Sequence, residues 1–257
     1  MEIKERFNSE NLSIQNSSLV SKLNDKIKNF HNLEAILSEL PNGSILVGGY
    51  IRDLILDRLS LYPDIDIVVP NNSFEIGKNI AEKFSGKFLI LDQDRNIVRI
   101  IFRNFTIDIA SQTHELLVED LKSRDFTINS VGFSFNDGKL IDPAHGIRDM
   151  NDSLLRSFRD ENLLHDPLRI LRCFRFVSEL NFHIEPRILE FIELNKFRLK
   201  TVSVERIQYE LKRIVQGKEA LKTVQFHLAK NYQSLYAIIH WNDYCHTIGS
   251  NQIFLSH

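Results

Sequence analysis

Two rhythms of apolar positions organise this chain. Phe30, Leu33, Ile36, Leu37 and Leu40 recur at helical spacing, and Pro41-Asn42-Gly43 stops the pattern. Ser44–Val47 is a short apolar run read as a buried strand, followed by Gly48-Gly49 and a helix over Tyr50–Leu59. Beyond Pro63 the rhythm changes to alternation: Ile65, Ile67 and Val69 interleave with Asp64, Asp66 and Val68. Successive side chains of a strand face opposite ways, so the apolar set faces a core and the two aspartates share the other face, roughly 6.7 Å apart along the strand. Phe74–Phe84 reads as a helix; Lys87–Leu91, Ile97–Arg103 and Phe105–Ala110 as strands; and Glu115–Lys122 as a short helix. Val131–Phe135 and Lys139–Ile141 flank Asn136-Asp137-Gly138, the signature of a hairpin. From Asp149 onward only helices are expected, over Met150–Leu155, Asp166–Leu180, Pro186–Glu193 and Val204–Val215.

The pattern therefore predicts a mixed α/β domain, a small sheet with packed helices, followed by an all-α segment, with the boundary near residue 150. Residues 1–28 are polar and form an N-terminal extension, with a helix near Ser18–Ile27. No internal repeat interrupts this order.

Composition narrows the class. Of the 257 residues, 43% are hydrophobic and 26% charged, ordinary for a globular protein with a real core. No run approaches the apolar length of a membrane span, and the opening Met1-Glu2-Ile3-Lys4-Glu5-Arg6 is not a secretory signal. Cys173 and Cys245 form no framework, which fits reduced thiols and a cytoplasmic location. The net charge of −2 excludes a molecule that binds nucleic acid by overall basicity. Arginine and lysine instead crowd the stretch from Arg156 to Lys222, so any RNA is expected against the C-terminal half.

Four groups carry candidate chemistry. Gly48-Gly49 lets the backbone approach a ligand, and the helix behind it suits phosphate, with Arg52 one turn in. By itself the pair fits a tight strand-to-helix turn even better. Asp64-x-Asp66 can share Mg²⁺ ions alongside substrate phosphates. The same spacing in Asp92-Gln93-Asp94 falls in a turn, where Asp is common, so strand context is what gives Asp64 and Asp66 weight. Asp108 is a candidate third catalytic carboxylate on a neighbouring strand, or simply a polar face position. Asp166-Pro167 is a good helix start, and Arg169, Arg172 and Arg175 follow on one broad face without matching acids nearby. Such a face either holds an anion or is solvated.

The ordered set resembles one family. Gly48-Gly49-x-x-Arg52-Asp53, Asp64-x-Asp66, Arg124-Asp125-Phe126-Thr127-Ile128-Asn129, Ile141-Asp142-Pro143 and Asp166-Pro167-Leu168-Arg169-x-x-Arg172-x-x-Arg175-Phe176 occur in the order seen in class II tRNA nucleotidyltransferases and bacterial poly(A) polymerases. Ser203-Val204-Glu205-Arg206-Ile207 with Glu210-Leu211 resembles the family's next helix. Each motif is weak singly, but their order is specific, and the likeness covers about Ile45 to Val215.

The resemblance implies a nucleotidyltransferase head over 29–150, a helical nucleotide-selecting neck over 151–216, and a partial body or divergent tail over 217–257. Asp64 and Asp66 would hold Mg²⁺ as the catalytic pair. Gly48, Gly49, Arg52, Asp53, Arg124, Asp125 and Asn129 would line the nucleotide, with Gly49 and Arg52 at the triphosphate. Asp166 and Arg169 would read the base edge, and Arg172 and Arg175 would hold phosphates. The implied partners are CTP, ATP and the 3′ end of tRNA, not DNA or a membrane. Poly(A) addition to other RNAs and a non-catalytic nucleotide-binding remnant are the rival expectations. Two departures stand out. His165 occupies a position where the family often has Glu or Asp, and members usually continue into helical body and tail domains, whereas the likeness here fades after about Gly217.

Overall fold

The computed structural model describes residues 13–14 and 17–223. They fall into two compact units, divided after Asp152. The expectations for the segment beyond Thr223, and for Cys245, lie outside the described residues, as does most of the polar start of the chain.

The first unit is built on a mixed sheet. Its strands are β1 (Ser13–Ile14), β2 (Ile45–Val47), β3 (Asp64–Val69), β4 (Lys87–Asp92), β5 (Ile97–Ile101), β6 (Thr106–Ser111), β7 (Gly132–Ser134) and β8 (Lys139–Ile141). They lie in the order β1-β8-β7-β2-β3-β6-β5-β4. β3 and β6 run parallel, and the other neighbouring strands are antiparallel. The central strands follow from their sequences. β2 is apolar throughout and buried throughout, whereas β3 buries Ile65, Ile67 and Val69 and leaves Asp64 exposed.

The helices of this unit are α1 (Ser17–Asn29), α2 (Leu33–Ser38), α3 (Gly49–Ile55), α4 (Ser73–Lys83), α5 (Leu117–Lys122) and α6 (Gly146–Asn151). α4 packs closely on β5: a Cβ on Gly77 would come within 2.6 Å of Val98 Cγ2.

Two helices are shorter than their periodicity predicts. The pattern from Phe30 is broken because Asn32 adopts the left-handed region at φ 66°, so only Leu33–Ser38 is helical. Leu33, Ile36, Leu37 and Leu40 are buried all the same. The helix predicted over Tyr50–Leu59 ends at Ile55. There the Arg58 amide donates to the Asp53 carbonyl, and the Asp57 amide to Leu54, about a left-handed Asp57 at φ 55°. This is a Schellman closure, with Asp in the place glycine usually takes.

The second unit contains β9 (Leu154–Leu155), α7 (Asp160–Leu164), α8 (Arg169–Leu180), β10 (His183–Ile184), α9 (Pro186–Asn195), a 3₁₀ segment (Lys196–Thr201), α10 (Val204–Gln216) and α11 (Ala220–Lys222). The expectation of helices only is corrected. Leu154–Leu155 pairs in parallel with His183–Ile184, and Ser153 at φ 52° separates this strand from α6. Strands of two residues are too short to leave a readable period.

α8 and α10 form the core of the unit. Leu171, Phe174 and Val177 are buried on α8, and Ile207, Leu211 and Ile214 on α10. Such side chains contribute roughly 1.5–3 kcal/mol each when fully buried. Ser178 Oγ also donates to the Ile214 carbonyl at 2.6 Å, clamping the two helices.

Candidate active site

The turn after β2 is conformationally demanding. Gly48 sits at φ 72° and ψ −139°, a combination that essentially only glycine adopts. It is also sterically required: a Cβ there would stand 2.6 Å from Asp66 Oδ2 and 3.4 Å from Arg124 Nη1. Gly48, Asp66 and Arg124 therefore crowd one point, although they come from three separate segments. The Gly49 amide donates a long hydrogen bond, 3.4 Å, to Asp66 Oδ2. The amide that the sequence offers to phosphate is thus turned towards a carboxylate.

Asp66 lies in register with Asp108 on β6, and Asp64 with Thr106, whose hydroxyl donates to Asp64 Oδ1. Burial pushes the Asp66 carboxyl from 3.8 up to about 6, opposed by the charge of Arg124 and raised further by Asp108. An acceptor-only carboxylate in this condition is relieved by a cation. Asp64 and Asp66 on one strand face therefore fit a hard, oxygen-preferring metal ion. Among the described residues no group of three or more His, Cys, Asp or Glu side chains is arranged to hold a metal. Two carboxylates are the number a Mg²⁺ site completed by substrate phosphates needs.

Asp108 is paired. Arg99 Nε and Nη2 reach its two oxygens at 2.7 Å each, so this third carboxylate is held by a guanidinium. Sequence reading missed Arg99. The available signal was a single charge inside the apolar strand Ile97-Val98-Arg99-Ile100-Ile101.

Arg52 is paired as well. It is buried, with Nε and Nη2 forked onto Asp53 at 2.8 and 2.9 Å and Nη1 donating to Asn129 Oδ1 at 2.9 Å. Asn129 Nδ2 donates in turn to Asp125 Oδ1 at 3.0 Å, which also accepts the Phe126 amide at 2.8 Å. Arg52 thus braces α3 against the Asp125–Asn129 turn. Arg124, one residue before this turn, stands beside Asp66. Asp142 acts locally, accepting the Gly146 and Ile147 amides at 2.6 and 2.9 Å and so capping α6.

In the second unit, Asp166 precedes α8 and accepts the Leu168 amide at 3.0 Å, while its other oxygen takes Arg206 Nη2 from α10 at 2.5 Å. Regular helix begins at Arg169, after a tight turn at Pro167-Leu168, rather than at Pro167. Arg169 Nη1 donates to the Asn162 carbonyl of α7. His165 is exposed.

The expected row of unmatched arginines is corrected at Arg175. It is 6% exposed and paired with Glu210 at 3.1 Å and Glu179 at 3.9 Å. Arg213 shares Glu179 at 2.7 Å. Burial pushes Glu210 up, against the pull of Arg175. Arg175 therefore ties α8 to α10. Arg172 lies 5.9 Å from the Phe176 ring centroid.

Comparison with known proteins agrees with this layout. Residues 44–156 match the poly A polymerase head domain, and 181–226 the probable RNA and SrmB-binding site of polymerase A. A CC-adding tRNA nucleotidyltransferase of Synechocystis sp. is 39% identical over 174 residues, 68% of this chain and 42% of that protein. An A-adding tRNA nucleotidyltransferase of Halalkalibacterium halodurans is 28% identical over 233 residues, 82% of this chain and 53% of that protein. The solved complex of a CCA-adding enzyme with CTP superposes with a TM-score of 0.71 at 29% identity, covering 86% of this chain and 55% of that one. The chain spans about half the length of the relatives it matches. Two family models in the expected order, on a head of the expected fold, establish that the chain belongs to the class II tRNA nucleotidyltransferase and bacterial poly(A) polymerase family.

Proposed function

We propose that the protein is a Mg²⁺-dependent nucleotidyltransferase that adds C, A or both from CTP and ATP to the 3′ end of tRNA, in the cytoplasm. The observation that carries this reading is Asp66, beside Asp64 on one strand face, lodged beneath the Gly48-Gly49 turn and next to Arg124. Among the described residues no helix is long and apolar enough to cross a membrane.

The residues divide the work. Asp64 and Asp66 hold Mg²⁺, which when bound neutralises charge on the phosphate oxygens and the attacking oxygen. Gly48 keeps the backbone close without displacing Asp66. Arg124 offsets negative charge and receives the nucleotide, with Asp125 at the sugar end. Arg52, Asp53 and Asn129 brace that turn from behind. In the second unit, the 151–216 neck, Asp166 and Arg169 present an acceptor and donors to the edge of cytosine or adenine, and Arg172 supplies positive charge. The terminal 3′-hydroxyl oxygen bonds to the α-phosphorus as the bond to the β-phosphate oxygen breaks, and pyrophosphate leaves. The protein's part is orientation and charge placement.

The test offers CTP and ATP separately, with Mg²⁺, to tRNA lacking CCA, CA or A. Incorporation confined to tRNA supports the reading. ATP tails on unrelated RNA would replace it with poly(A) addition. Nucleotide binding without incorporation would identify a non-catalytic remnant. Asp64→Ala is expected to abolish transfer while the circular dichroism spectrum stays unchanged; normal turnover by that variant would overturn the metal assignment.

A further inference from the structure

One row across the sheet carries Asp66 on β3, Asp108 on β6 and Arg99 on β5, each in register with the next. Neighbouring strands lie about 4.8 Å apart, so an unoccupied Asp108 carboxylate would stand within reach of any ion held by Asp66. It is occupied. The guanidinium meets it side-on, with Nε to Oδ1 and Nη2 to Oδ2, the two-point geometry that is strongest for such pairs. The Arg99 charge also feels Asp64 and Asp66, after Asp108.

We propose that Arg99 is a positioning residue that withholds Asp108 from the metal, so that the site offers two carboxylates and the ion enters with its nucleotide. This rests on the reading of Asp64 and Asp66 as the metal-holding pair. Three unpaired carboxylates, Asp64, Asp66 and Asp108, would form an all-protein cage able to load a divalent ion without substrate. With two, the remaining positions fall to the triphosphate, and metal binding becomes conditional on CTP or ATP. Arg99 also cancels one of the three negative charges that would otherwise attract the ion alone.

The experiment is Mn²⁺ titration of the whole chain, followed by electron paramagnetic resonance, with and without CTP. Wild type is expected to bind Mn²⁺ weakly alone and more tightly with CTP. Arg99→Met frees Asp108 and removes one positive charge, so binding of Mn²⁺ alone should tighten by about tenfold or more. The double variant Arg99→Met/Asp108→Asn loses one charge of each sign. Its affinity for Mn²⁺ alone should return to within about threefold of wild type, because neither the net charge nor the ligand set has changed.

Unchanged or weaker binding by folded Arg99→Met overturns the proposal. So does a double variant that binds more than about tenfold more weakly than wild type, since Asp108 would then be a ligand. Should Arg99→Met fail to fold, the double variant, which leaves no unpaired charge, decides alone. If wild type takes up no Mn²⁺ even with CTP, the metal-holding reading itself fails, and this proposal fails with it.

Discussion

Replacing Asp66 by Asn isolates what the ionised carboxylate costs the fold. Burial, aided by Asp108 and Asp64 and opposed by Arg124 and the Gly49 amide, lifts its carboxyl from 3.8 to about 6. A group whose folded pKa is raised holds its proton more tightly in the folded state. Its favourable contribution is complete below about pH 4 and is lost as pH rises through about 6. At about 1.4 kcal/mol per unit, a rise of about two units makes ionised Asp66 cost about 3 kcal/mol at pH 8. Asn keeps the shape and carries no charge at any pH. Asp66→Asn should therefore be more stable than wild type by up to about 3 kcal/mol at pH 8, with the gap closing between pH 6 and pH 4. The assay is urea unfolding by circular dichroism in EDTA at pH 8, 6 and 4, fitted with two transitions because the chain has two units. Mg²⁺ with CTP should narrow the gap by stabilising wild type alone, because a ligand stabilises only the form that binds it. A variant no more stable at pH 8, or a gap that stays constant down to pH 4, would refute the reasoning. The same variant should transfer no nucleotide, so stability and activity move in opposite directions at one position.

Other perturbations separate bracing from chemistry. Gly48→Ala places a methyl 2.6 Å from Asp66 Oδ2 on a backbone at φ 72°, and should cost about 1–3 kcal/mol and most of the transfer rate; normal kinetics would show that the turn relaxes freely. Glu210→Ala leaves Arg175 buried with only the more distant Glu179, and should destabilise the second unit by roughly 3 kcal/mol in urea titration, whereas Glu82→Ala, which breaks an exposed pair with Lys78, should change stability by no more than about 0.5 kcal/mol. Asp166→Ala combined with Arg169→Ala should relax the choice between CTP and ATP while Mn²⁺ affinity with either nucleotide is kept; an unchanged preference would remove these residues from base selection.

What can be read from the sequence is local. The alternation of Ile65, Ile67 and Val69 with the aspartates sets the faces of β3, because period and side-chain direction are properties of a single strand. The Gly48-Gly49 turn is legible for the same reason. The brace made by Arg52 is only half legible: Asp53 is its neighbour in sequence, but Asn129 lies 77 positions away. Arg175 is misread as unmatched, its acid Glu210 being 35 positions off on another helix. Asp108 is visible but its clamp is not, since the pairing with Arg99 depends on strand register, which an apolar pattern on both strands leaves open. The pair β9 and β10 leaves no signal because two residues cannot establish a period. Single elements can be read, while the partners of charged side chains cannot.

The parallel contact between β3 and β6 has a consequence for how the protein acquires its site. A parallel pair needs a long crossover, here α4 with the β4–β5 hairpin, and it joins Asp64 to Thr106 across 42 positions of chain. Closing so long a loop costs chain entropy before the contacts it enables are gained. The hairpins β4–β5 and β7–β8 can form early from neighbours in sequence, but the carboxylates come into register only when the crossover closes. The row of carboxylates is therefore a property of the completed first unit, and nucleotide-dependent Mn²⁺ uptake during refolding should appear with the slow phase that joins β3 to β6.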